Sequence, residues 1–104
     1  IPTPGHSPGS TCFLVRSPTG KRYLFTGDTL FMGKDNAWQA GFINGMHKEK
    51  DRQVLADSVH MLRDLRPDVV LGSAYTGEQG FEDVTDGSWR GKVDQAMQRL
   101  LAGR

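Results

Sequence analysis

The sequence predicts a layered α/β or α+β domain, and three features carry that prediction. Two short runs rich in β-branched and aromatic residues, Thr11 to Arg16 and Lys21 to Thr26, flank a Pro- and Gly-containing turn. An amphipathic pattern over residues 49–65 precedes a nearly continuous apolar run over 68–74. A second amphipathic segment closes the chain. Strands first and helices interleaved later suit a sheet with helices laid on one face.

Taken in order, residues 1–10 (IPTPGHSPGS) are loop chemistry, because Pro and Gly resist helix and regular strand. The runs TCFLVR and KRYLFT, joined by Ser17-Pro18-Thr19-Gly20, read as a β-hairpin. Residues 32–47 are mixed in character, with Gly33, Gly41 and Gly45, and read as a long loop with a short helical turn near 37–41. Leu55, Val59, Leu62 and Leu65 recur at spacings of four and three and give the 49–65 helix one apolar face. Arg66-Pro67 ends it. The run DVVLGSA fits a strand buried on both faces. Residues 75–87 are rich in Gly and acid and read as a loop. Ser88 is placed to cap a last helix to about Ala102, whose apolar face carries Trp89, Val93, Met97 and Leu100 or Leu101.

The totals restrict function. A chain of 104 residues fits one domain, 1–104. A net charge of +1 leaves neither a basic footprint for nucleic acid nor an acidic one for cationic partners. The one cysteine, Cys12, makes no internal disulfide and reads as a buried inert thiol, which points to a cytoplasmic setting. No apolar run is long enough to span a membrane. Ile1 rather than Met opens the chain, which suggests a fragment or a processed product. Neither a nucleophile elbow nor a phosphate-binding Gly loop is present.

Chemistry concentrates in two segments. TPGHSPGS places His6 in a loop, and LFTGDTLF places Asp28 at a strand end, each with flanking glycines that let backbone approach a site. Imidazole and carboxylate suit zinc or a similar divalent ion, although structural zinc takes four ligands and catalytic zinc three plus water. The bland alternative is a polar loop histidine and a turn-capping aspartate. Trp38 and Phe42 either line a substrate pocket or cover the core, and Tyr75 is a candidate hydrogen-bond donor to substrate. His47 reads as part of a solvated helix start, His60 as a surface residue, and Glu78, Glu82, Asp83 and Asp86 as a solvated acidic loop.

Together, TPGHSPGS followed by a hairpin ending in FTGDTLF resembles the second half of the metallo-β-lactamase superfamily, closest to its glyoxalase II-like hydrolases. The resemblance implies the C-terminal half of an αββα sandwich and a zinc-dependent hydrolase of ester or thioester bonds in small-molecule substrates. It implies His6 and Asp28 as metal ligands, the Asp bridging two metals. Two departures qualify it. The family's H-x-H-x-D-H segment is absent, and Ser73, Ala74 and Tyr75 stand where a final His is expected. These departures imply a chain that holds zinc weakly and does not hydrolyse alone, completed by a missing N-terminal half or by homo-oligomerisation. The alternative is a degenerate module that binds a ligand or partner, or dimerises, without catalysis.

Overall fold

The computed structural model describes residues 1–43, 45–73 and 79–102. It shows an α+β domain with a mixed sheet and two helices. The elements are β1 (Phe13–Arg16), β2 (Arg22–Gly27), β3 (Leu30–Met32), β4 (Trp38–Ala40), α1 (Glu49–Met61), β5 (Val69–Gly72), β6 (Phe81–Asp83) and α2 (Trp89–Ala102). No helix among the described residues is long and apolar enough to cross a membrane.

The larger sheet has the order β1-β2-β5-β6. β1 and β2 form the expected antiparallel hairpin, with Leu14 opposite Leu24. β2 and β5 run parallel, which requires a crossover, and the stretch between them supplies it with β3, β4 and α1. β6 returns antiparallel to β5. Strand pairing aligns residues in rows, and alternate rows face opposite sides. The row Leu14, Leu24, Val70 and Glu82 faces the helices. Leu24 and Val70 there join Leu55, Val59, Leu62, Val93 and Leu100 in one core. The row Phe13, Phe25, Leu71 and Phe81 lies on the other side. Phe13, Phe25 and Phe81 are 60%, 41% and 50% exposed, so that face has no cover from the described chain.

Several expectations about the elements need correction. The 37–41 stretch is no helical turn. It is β4, paired antiparallel with β3 in a separate two-stranded sheet. Asn36, at φ 57°, takes the left-handed position of the connecting turn, which Asn tolerates better than most residues. Part of the expected 75–87 loop is β6, whose short Phe-Glu-Asp run pairs with β5. Helix α1 ends at Met61, and residues 62–65 continue only as tighter turns, with the Leu65 amide bonding Leu62 at 3.4 Å. Arg66 sits at φ 51° ahead of Pro67, and the residue before proline avoids the helical region. Finally, the Ser88 hydroxyl is buried and makes no hydrogen bond among the described residues. The Asp86 carboxylate instead accepts the Ser88 amide at 3.0 Å, just ahead of α2.

Polar ties fix the layers. Trp38, expected to line a pocket or cover the core, is buried in the core, its indole edge-on to Trp89. Its Nε1–H donates to Glu82 at 3.1 Å, and Lys92 pairs with the same carboxylate at 3.0 Å. Glu82 is therefore a cross-link between β4, β6 and α2, not a solvated loop residue. Arg52, also buried, donates to the Leu100 carbonyl at 2.6 Å and stacks over Phe42 at 4.0 Å. A cation at the C-terminal end of a helix offsets the partial negative charge there.

Candidate functional site

His6 and Asp28 come from separate loops, and the structure brings them together. The His6 loop is fastened to α1. Gly5 lies so close to Leu55 that an added Cβ would stand 2.6 Å from the Leu55 Cα, and its φ of 134° excludes ordinary side chains. The Ser58 hydroxyl donates to the Pro4 carbonyl at 2.6 Å. Thr3, buried just upstream, bonds the Thr29 hydroxyl at 3.0 Å, beside Asp28 in sequence. The proline- and glycine-rich composition thus gives a loop that can lie flat on a helix and next to a strand end.

Asp28 is aimed by an irregularity in the parallel pair. The register shifts between Phe25 and Gly27. Thr26 fills the gap, its hydroxyl 2.8 Å from the Leu30 carbonyl and 3.2 Å from the Leu71 carbonyl. The chain then turns, the Thr29 amide bonding the Thr26 carbonyl at 3.0 Å, with Gly27 at φ 54°. Bulges commonly redirect a side chain next to a site. Asp28 here lies past the C-terminal end of a parallel strand, where ligands bind in open α/β sheets.

In the assembled site His6 Nε2 stands 3.7 Å from Asp28 Oδ2, the side chains 23% and 54% exposed. That separation is too long for a good hydrogen bond. Each group has its other polar atom engaged. His6 Nδ1 lies 2.7 Å from the Gly41 carbonyl, which can only accept, so Nδ1 carries the hydrogen. In the neutral ring the lone pair then falls on Nε2, facing Asp28. Ser73 Oγ donates to Asp28 Oδ1 at 2.9 Å, leaving Oδ2 toward His6. Histidine ligands commonly hold their second nitrogen on a backbone carbonyl in this way. At the bond lengths zinc uses, two tetrahedral ligands stand about 3.4 Å apart, so these atoms need move only a few tenths of an ångström to share an ion.

Two donors do not complete a zinc site, and among the described residues no group of three or more His, Cys, Asp or Glu side chains is arranged to hold a metal ion. Ser73, at the place where the final His was expected, reaches Asp28 but offers a hydroxyl. Ala74, Tyr75 and Glu78 lie outside the described residues.

Beside His6, it is His47 that sequence reasoning placed wrongly. It is half-buried against the site, its ring 5.2 Å from that of His6 and 5.5 Å from that of Phe42. A run of charged neighbours made it look solvated, and no local signal marks its contact with a loop at the other end of the chain. Phe42 packs against the core and lines a cleft of about 180 Å³ with Arg52 and Leu100, away from Asp28. A larger cleft of about 450 Å³ opens beside His6, between the 4–8 loop, His47 and the start of α1. His60 is exposed. Cys12 is buried, and burial first of all pushes its thiol pKa up, which keeps it protonated and inert. Asp83 is held below the usual carboxylate range by hydrogen bonds from Thr85, a local turn with no link to the site.

Comparison with protein-family models, with curated proteins and with solved structures returns no match to this chain.

Proposed function

We propose that this chain is the C-terminal part of a zinc-dependent hydrolase of ester- or thioester-type bonds, built as one half of a metallo-β-lactamase-like αββα sandwich. The observation that carries the proposal is the 3.7 Å approach of His6 Nε2 to Asp28 Oδ2, with the remaining polar atom of each side chain already engaged. His6 and Asp28 would supply two ligands, and the rest would come from a segment or chain outside these residues. A zinc ion held there supplies Lewis acidity for polarising a scissile carbonyl. The chain's own part is to orient the two donors: Gly41 fixes the His6 tautomer and Ser73 fixes the carboxylate rotamer. The uncovered sheet face supports the sandwich, since a second half would lie on the row Phe13, Phe25, Leu71 and Phe81.

Zinc titrated by calorimetry into chelator-stripped protein tests this. One-site binding that disappears in the His6→Ala, Asp28→Ala double variant is the expected result, without hydrolytic turnover by the chain alone. Equal binding in the folded double variant refutes it, and so does robust zinc-dependent turnover by the purified chain.

The same uncovered face favours a second function, a non-catalytic module that dimerises or binds a partner. Contiguous apolar surface of this kind marks association sites. Face-to-face homodimers are the expected species in light scattering, reverting to monomers when Phe13 and Phe81 are changed to Lys. A wild type that stays monomeric at high concentration excludes self-association through this face.

A further inference from the structure

Two residues, Gly41 and His47, grip His6 at two points. Gly41 takes the ring through its carbonyl, at 2.7 Å from Nδ1. His47 takes the backbone, with Nε2 2.8 Å from the His6 carbonyl. Gly41 is also tied to the other half of the site, because its amide bonds the Thr29 carbonyl at 2.9 Å.

The hydrogen bonds fix the state of His47. The Ile43 amide donates to its Nδ1 at 2.8 Å, so that nitrogen accepts. Nε2 must then carry the hydrogen, which matches its donation to the His6 carbonyl. Both nitrogens are engaged, so His47 has no lone pair left for a ligand. A local turn sets the ring in place: the His47 amide returns to the Ile43 carbonyl at 2.9 Å. Phe42 and the His6 ring flank it.

We propose that His47 is a positioning residue for His6, holding the loop backbone so that the Nδ1–H bond to Gly41 forms and Nε2 faces Asp28. The role of that Nε2 as a ligand rests on the proposed zinc function; the positioning itself does not. A ring pinned only through its own Nδ1 can swing with its loop. Clamping the carbonyl of the same residue removes that freedom. Outer hydrogen-bond partners of this kind typically change metal affinity by about 10–100-fold.

The test is a long-range ¹H–¹⁵N correlation spectrum of the imidazoles in metal-free protein near pH 8, for wild type, His47→Ala and His47→Gln. The wild type is expected to show His6 with its hydrogen on Nδ1 and His47 with its hydrogen on Nε2. In His47→Ala, His6 becomes a mixture of tautomers and zinc affinity falls about tenfold or more. His47→Gln, whose amide N–H can reach the same carbonyl, restores both. A His6 tautomer unchanged in folded His47→Ala overturns the proposal, as does a glutamine variant no better than alanine. If the variants fail to fold, the wild-type spectrum decides, since His47 with its hydrogen on Nδ1 contradicts the bracket. A wild type with the stated tautomers that takes up no zinc keeps the bracket and removes the zinc function.

Discussion

At the scale of single residues, the site depends on atoms that are missing as much as on those present. Gly41 is the clearest case. A Cβ there would press into the Asp28 carbonyl and stand 3.0 Å from His6 Nδ1. Gly41→Ala is therefore expected to force the two loops apart and to destabilise the fold by about 1–3 kcal/mol, the usual range for overpacking. Zinc uptake should fall further than stability does. Chemical denaturation alongside the calorimetric titration checks both, and an alanine variant of wild-type stability and zinc affinity would show that the close approach is not required. His6 and Asp28 were legible from the sequence because each sits in a short glycine-flanked string with distinctive chemistry. His47 was not, because its partners are the Ile43 amide and the His6 carbonyl. Backbone donors and acceptors have no letter in a sequence, and the loop that carries the His6 carbonyl comes near only after folding.

At the scale of elements, the hairpin, both helices and the existence of β5 follow from periodicity and turn chemistry, while three-residue strands do not. Nor is β5 buried on both faces as its apolar run suggests, since Val70 is buried but Leu71 lies on the open face. Leu30–Met32, Trp38–Ala40 and Phe81–Asp83 are too short to display an alternation. Their pairing depends on neighbours brought in by the crossover. The Asp35-Asn36 turn between Leu30-Phe31-Met32 and Trp38-Gln39-Ala40 is the one signal that could have found the second hairpin. Helix packing carries a pH signature. Asp94 on α2 accepts two hydrogen bonds from Arg63, at 2.7 and 3.1 Å, just past the end of α1. Those bonds hold the Asp94 carboxyl below the usual range. A carboxyl depressed on folding contributes its stability in full above the unfolded value of about 3.9 and loses it as pH falls through the lower folded value. Melting temperature in the wild type should therefore drop on acidification below about pH 5, and Asp94→Asn should show a smaller drop over the same window. Parallel melting curves for the two proteins would count against this tie.

At the scale of the whole molecule, two features belong together. The helices cover one side of the sheet, and the other side presents Phe13, Phe25 and Phe81 to solvent. A cleft of about 190 Å³ on that open side, lined by Phe13, Phe25 and Leu71, runs up to Gly27 and Ser73, the neighbours of Asp28. Whatever covers the face would therefore arrive beside the His6–Asp28 pair. The general class was readable from the order of elements. That one sheet face or edge would need a cover is what the half-sandwich resemblance implies, but the residues that form it were not visible, because a row such as Phe13, Phe25, Leu71 and Phe81 exists only once register is set, and its members are scattered along the sequence. The central claim is that His6 Nε2 and Asp28 Oδ2 converge to take a metal ion. Its most direct test is to follow the His6 imidazole nitrogens by ¹⁵N NMR while zinc is added to chelator-stripped protein. The expected result is a shift at Nε2 with the hydrogen retained on Nδ1, and no shift in Asp28→Ala. An Nε2 resonance that stays in place under excess zinc, in a protein that remains folded, would contradict it.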